Sequence, residues 1–219
     1  MIVAIDGPAG VGKSTIARRC AQAAGFLYIN SGSFYRAVTL AVLQRKIRPE
    51  DSDAVLRVAR SCRIELIRGE VHLEGRNVEP LLHQDAVDSW VAAHSAIQGV
   101  RDIVNARLQE IAAYADAVVE GRDIGTVVFP EARLKIFLDA DIATRAARRH
   151  DQGVSGLSLE ALQAAIGARD AADRNKPTGR LVAAPDALQI DTSLLTIDQV
   201  CERVDQAILV NRNNPGDIR

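Results

Sequence analysis

The stretch Ile2-Val3-Ala4-Ile5-Asp6-Gly7-Pro8-Ala9-Gly10-Val11-Gly12-Lys13-Ser14-Thr15 decides the architecture. Its apolar opening stops at Asp6-Gly7-Pro8 and reads as a buried parallel strand running into a loop. From Gly7 to Ser14 the loop matches G-x-x-x-x-G-K-[ST]. In that pattern the glycines let the backbone curl until successive N–H groups face one phosphate, and the following helix adds its positive end. Lys13 is then placed to reach the β- and γ-phosphates, and Ser14 to ligate Mg²⁺ carried by the nucleotide. Gly7, Pro8, Ala9, Gly10, Val11, Gly12, Lys13, Ser14 and Thr15 are thus the expected ATP site.

Outward from the loop, strands and helices alternate. Residues 13–24 form a helix stopped at Gly25, and Phe26–Ile29 a second strand. Ser31 is a candidate N-cap for a helix over 32–45, and a further helix covers 53–61. Arg63–Arg68 and Val71–Glu74 alternate polar and apolar residues around Gly69-Glu70, the pattern of a hairpin with one solvated face. Helices follow over 84–97 and 100–114, divided at Gly99. Strands at Ala117–Val119, Leu134–Leu138 and Ala187–Ile190 are interleaved with helices at 141–150, 158–172 and 195–210. Gly153 and Gly156 mark a loop, Asp173 to Gly179 a polar stretch, and Asn211 to Arg219 a frayed tail. The fold class expected is α/β, with a five-stranded parallel sheet flanked by helices and an inserted subdomain carrying a small antiparallel β element. Its core spans 1–30 and 111–210, with a lid at about 150–180; the insert spans 31–110.

Composition narrows the function. The 219 residues are 47% hydrophobic and 25% charged, the balance of an ordinary globular chain. With 27 basic and 28 acidic residues the net charge is −1, so no global field draws the chain to nucleic acid or to an anionic membrane. No apolar run reaches the length of a membrane span, and the N-terminus has no secretory leader. Cys20, Cys62 and Cys201 are odd in number and far apart, which excludes a disulfide framework or a zinc site and fits a cytoplasmic protein. The four histidines have no metal-ligand spacing, and Trp90 reads as packing.

A phosphate loop names the donor and not the acceptor. The guanine-reading N-K-x-D motif is absent, since Asn175-Lys176 is followed by Pro177-Thr178. A kinase for a small acceptor is therefore favoured over a GTPase switch. Such an enzyme gathers arginines, whose guanidinium matches phosphate bidentately. Arg36 lies one turn into the helix after Ser31. Arg122 follows a strand at the binding edge of the sheet. Arg169 and Arg174 flank the polar stretch. Arg145, Arg148 and Arg149 share one helical face by spacing, as a solvated basic face or as a lid over the ATP phosphates. Glu120 and Asp123 stand where an acid could support Mg²⁺ through water or accept from an acceptor amine or hydroxyl. Asp141 reads as a helix N-cap.

Beyond these single features, an ordered set resembles the bacterial cytidylate kinase family over about residues 2–208. It comprises the opening Ile5–Thr15 run, Ser31-Gly32-Ser33-Phe34-Tyr35-Arg36, Gly121-Arg122-Asp123-Ile124-Gly125-Thr126-Val127-Val128-Phe129-Pro130, Lys135-Ile136-Phe137-Leu138-Asp139-Ala140 and Arg169-Asp170-Ala171-Ala172-Asp173-Arg174. The resemblance implies γ-phosphate transfer from ATP to CMP or dCMP with Mg²⁺, by Lys13, Arg122 and Arg169 as catalytic groups. It implies that Ser31, Tyr35, Arg36, Arg101, Arg122, Asp123, Arg169, Asp173 and Lys176 hold the acceptor, with Arg36 on its phosphate, Asp123 on the base amino group and Asp173 on a sugar hydroxyl. Lys176 stands where the family usually has arginine, and Ala92 where it has a base-contacting serine; Ser89 and Ser95 lie near. The implied partners are ATP and CMP or dCMP, with no nucleic acid or membrane, in a monomer. The alternatives are a kinase for UMP or another small acceptor, or a nucleotide-dependent switch or binding protein.

Overall fold

The computed structural model describes residues 1–151 and 157–213, and the chain divides into two compact units, Met1–Tyr28 with Ala115–Arg219, and Ile29–Tyr114. In chain order the strands are β1 (Ile2–Asp6), β2 (Leu27–Asn30), β3 (Ile64–Ile67), β4 (Glu70–Leu73), β5 (Arg76–Asn77), β6 (Ala117–Gly121), β7 (Leu134–Asp139) and β8 (Leu188–Asp191). The α-helices are α1 (Lys13–Ala24), α2 (Ser31–Gln44), α3 (Ser52–Ser61), α4 (Asp85–His94), α5 (Gln98–Ala112), α6 (Ile142–Asp151), α7 (Leu159–Asn175) and α8 (Ile197–Asn213).

The first unit is an α/β sandwich on a five-stranded sheet of order β2-β6-β1-β7-β8. The pairings of β1 with β6 and β7, and of β7 with β8, are parallel. Val3 lies opposite Val118 on one side and Leu134 on the other. Being central and covered on both faces, β1 needs a continuous apolar run rather than alternation, and Val3, Ala4 and Ile5 have no exposed surface. Ile16, Ala17 and Cys20 of α1 share one core with Val200, Val204 and Ile208 of α8. Each fully buried aliphatic side chain there contributes about 1.5–3 kcal/mol.

In the second unit the hairpin is in register from Ile64 opposite Leu73 to Ile67 opposite Glu70. Arg68 and Gly69 both have positive φ, the geometry a two-residue hairpin turn takes to match strand twist. The Asp51 side chain accepts from the Ala54 N–H at 2.9 Å and caps α3, whose Val55 and Val58 are buried. β5 and a short 3₁₀ turn at Glu79–Leu81 extend the hairpin beyond the two strands expected.

Several boundaries differ from expectation for local reasons. The break between α4 and α5 falls before Gly99, which sits inside the first turn of α5. A Cβ on Gly99 would lie 2.7 Å from Leu56 Cδ1, so the glycine lets α5 approach α3 closely instead of ending a helix. Ser31 is the first residue of α2, and Asn30 takes the capping position. Helix α7 continues through Asp173 and Arg174 to Asn175, so the polar stretch begins as helix. Helix α8 starts at Ile197 and runs through Asn213, taking the first three residues assigned to the tail; the rest of that tail, like the loop at Gly153 and Gly156, lies outside the described residues. The Asp141 carboxylate accepts from the Thr144 N–H at 2.7 Å, the capping role expected of it.

Candidate active site

The donor half is built largely from backbone. Gly7 leaves β1 at φ 153°, and a Cβ there would lie 2.1 Å from the Leu138 carbonyl oxygen of β7. Only glycine lets the loop pass that close to the neighbouring strand. Lys13 opens α1 with its side chain folded back, donating from Nζ to the Pro8 carbonyl at 2.6 Å. Its pKa is held well below the ordinary lysine value by burial first, then by the positive fields of Arg122 and Arg169, against the opposing pull of Glu120 and Asp6. Arg122 and Arg169 therefore both lie within electrostatic reach of Lys13. Ser14 and Thr15 are exposed on the first turn of α1.

The end of β6 supplies the next groups. Asp123 is buried at the start of a π-helical turn, Ile124–Val128, that sequence reading missed. That turn is gripped from below by Asp6, whose two carboxylate oxygens accept from the Ile124 and Gly125 N–H groups, each at 2.8 Å. Burial, opposed by those two bonds, raises the Asp6 pKa to about 6. The position of Asp6 at the C-terminal end of the central strand was the signal that could have marked it. Glu120 accepts from the Tyr28 hydroxyl.

Asp173, expected on a sugar hydroxyl, has both oxygens engaged: Arg122 Nε donates to Oδ2 at 3.0 Å, and Lys176 Nζ lies 2.6 Å from Oδ1. Burial pulls the Asp173 pKa up, and the Arg122 and Lys176 partners overcome it and leave the carboxyl below its usual range. Lys176 thus occupies, by an ion pair, the position where arginine was expected.

The three arginines of α6 do not act as one face. Arg145 is buried, and donates from Nη1 to the Ala9 carbonyl at 3.1 Å and from Nη2 to Asp170 at 2.6 Å. Arg148 turns the other way, donating to the Thr192 carbonyl at 2.6 Å and to Thr192 Oγ1 at 3.1 Å. Arg149 is half-buried.

Within the insert, α2 and α5 carry the acceptor candidates. Ser31 and Tyr35 are buried on α2. Arg36 donates from Nη1 to the Leu82 carbonyl at 3.0 Å and lies 2.6 Å from Asp88. The Arg101 guanidinium sits over the Tyr35 ring, 5.7 Å from its centroid, and Tyr35 donates to Asn105 at 3.2 Å. Ser89 and Ser95, the serines near Ala92, donate to the Asp85 and Ala92 carbonyls of their own helix at 2.8 and 2.9 Å. Glu79 was not anticipated: its carboxylate accepts from Ser33 and from the Val71 N–H, joining α2 to the hairpin. Nothing in its sequence context distinguishes it from other surface glutamates.

Among the described residues no cluster of three or more His, Cys, Asp or Glu could cage a metal. A Mg²⁺ here would rest on nucleotide phosphates and a few hard oxygen donors, which suits that ion, and the Ser14 hydroxyl is of that kind.

A glycine-rich loop between the central strand of a parallel sheet and a helix, with a buried lysine at the helix start, defines a P-loop nucleotide-binding fold. A family model described as cytidylate kinase matches residues 3–209. The chain belongs to the cytidylate kinase family of phosphotransferases. It is 40% identical to a cytidylate kinase of Limosilactobacillus reuteri, with 94% of each chain covered. It is 39% identical to a cytidylate kinase of Caldanaerobacter subterraneus, over 99% of this chain and 97% of that one. A solved structure from Thermus thermophilus shares the fold with a TM-score of 0.52 at 19% identity, over 96% of both chains.

Proposed function

We propose that this protein transfers the γ-phosphate of ATP to CMP or dCMP, giving ADP and CDP or dCDP. The observation that carries the reading is the phosphate loop with Lys13 buried at its end, in a chain whose relatives are named cytidylate kinases. The acceptor phosphate oxygen is already anionic, so it attacks the γ-phosphorus in line without a strong base. A bond forms from that oxygen to phosphorus, the bond from phosphorus to the β-phosphate oxygen breaks, and ADP leaves. Catalysis is then positioning and charge stabilisation. Backbone N–H groups from Gly7 to Thr15 receive the donor phosphates, Lys13 leaves the Pro8 carbonyl for them, and Arg122 and Arg169 neutralise the transferring group. Ser14 and the nucleotide would hold a Mg²⁺, which would supply charge neutralisation to the phosphate oxygens when bound.

Residues 31–110 act as the acceptor-binding insert on a core of 1–30 and 111–210, and the segment near 150–180 acts as the lid. Arg36 and Arg101 bind the acceptor phosphate and nucleotide, together with Ser31 and Tyr35. Asp123 accepts from the cytosine amino group, which uracil lacks. Asp173, held between Arg122 and Lys176, orders the arginine and keeps an acceptor lone pair for the sugar. The protein works as a monomer in the cytoplasm, and among the described residues no helix is long and apolar enough to cross a membrane. A coupled assay of ADP formation with Mg·ATP and CMP, dCMP, UMP, AMP or GMP tests the reading. Turnover with CMP and dCMP, little with UMP and none with purines is expected. Equal rates with UMP and CMP would remove the assigned role of Asp123, and no turnover with any monophosphate would remove the acceptor class.

A further inference from the structure

Arg145 is a cation with only 2% of its surface exposed, and its guanidinium reaches three separate segments. Nε donates to the Ala140 carbonyl after β7 at 2.9 Å, Nη1 to the Ala9 carbonyl in the phosphate loop at 3.1 Å, and Nη2 to Asp170 on α7 at 2.6 Å. Asp170, 1% exposed, supplies the counter-charge that a buried guanidinium requires. Its other oxygen has no hydrogen-bond partner, so the carboxylate is held for Arg145 at the expense of a lone pair.

The Ala9 contact has a directional effect. In a trans peptide the C=O and N–H point opposite ways. Holding the Ala9 carbonyl against Arg145 therefore turns the Gly10 N–H to the other side of the loop. Asp170 lies between Arg169 and Asp173 in the sequence of α7, so the same guanidinium also fixes the helix that carries both.

The geometry points to Arg145 as a positioning residue. Paired with Asp170, it sets the Ala9–Gly10 peptide for phosphate binding and ties the loop to the helix bearing Arg169. The inference rests on the phosphoryl-donor role proposed for the loop. In this role Arg145 acts through the backbone, unlike a lid residue that closes on ATP.

Two variants test this. Arg145→Met combined with Asp170→Asn removes both charges at similar volume, so no buried ion is orphaned. Arg145→Lys keeps the charge and loses the fork. Thermal melting, binding of a fluorescent N-methylanthraniloyl ATP without acceptor, and steady-state kinetics are read on each. The double variant is expected to melt close to the parent, yet to bind the analogue about tenfold more weakly or worse, with kcat lowered as well. The KM for CMP should change least. Parental nucleotide affinity and kcat in a folded double variant overturn the proposal. Should the double variant fail to fold, Arg145→Lys decides alone, and unchanged analogue affinity overturns it equally. A parent that binds the analogue but phosphorylates no monophosphate removes the CMP reading, while weakened binding in the variants still supports Arg145. A parent that does not bind the analogue overturns both.

Discussion

The two regions proposed to receive the substrates are made of different material. The proposed donor half is a run of consecutive residues offering mainly backbone, with few side chains involved. The proposed acceptor half is a set of side chains from α2 and α5, held by ring contacts, carbonyls and a carboxylate. A backbone-built site has one geometry and tolerates almost no change at its contact points. A side-chain-built site can re-aim, because each long residue keeps rotamer freedom until a ligand orders it.

That contrast can be broken or sharpened by measurement. Lys13→Ala should lower kcat by about three orders of magnitude, since it removes the ammonium aimed at developing phosphate charge; near-parental turnover would show that the loop is not the donor site. Gly7→Ala should cost about 3 kcal/mol or more in denaturant unfolding, because its Cβ meets the Leu138 carbonyl at 2.1 Å. A mild loss would mean that the strand-to-loop junction can give, contrary to a rigid donor half.

Asp6 gives a pH signature. Its pKa is raised from 3.8 to about 6, so the native state holds the proton more tightly than the unfolded chain between those values. The stability from that group is complete below about pH 4 and is lost as pH rises through about 6. The stability difference between the parent and Asp6→Asn should therefore fall by up to about 3 kcal/mol from pH 4 to pH 7. A difference that does not vary with pH would show that the two N–H bonds fully offset burial.

On the acceptor side, Arg36→Lys should raise the KM for CMP about tenfold and leave the KM for ATP alone, through loss of the bidentate fork. An equal rise in both would erase the division between the halves. Gly99→Ala should be the smallest effect, about 1 kcal/mol, since the group at 2.7 Å is the movable end of Leu56. Calorimetric melting measures it; a loss as large as that of Gly7→Ala would make the insert as unyielding as the loop.

The same contrast explains what could be read from the sequence. The strand before Gly7 and the helix after it follow from a local pattern, and the apolar composition of β1 marks it as a buried strand, though not which strands, β6 and β7, flank it. The π-helical turn after Arg122 does not, because it exists to receive a carboxylate from Asp6, far away in the chain. Arg145 was legible as a basic residue at helical spacing from Arg148 and Arg149. Its burial against Ala9 and Asp170 was not, since that depends on how α6 and α7 pack. Gly99 was misread for a similar reason: a helix-breaking residue and a helix-packing residue are the same letter until the neighbour, Leu56, is known.

The strand order carries a consequence for how the molecule forms. The central strand β1 finds both its partners, β6 and β7, only beyond the whole of Ile29–Tyr114. The hairpin and helices of that segment make contacts close in sequence and have no such wait. Chain leaves the sheet at β2 and re-enters it at β6, and those two strands are neighbours. A prefolded middle segment would replace a long floppy loop with a short one and cut the entropy of closing the sheet. Until that closure the apolar Ile2–Ile5 run is an unpaired edge, and the refolding rate and the aggregation hazard of the protein are set in that interval.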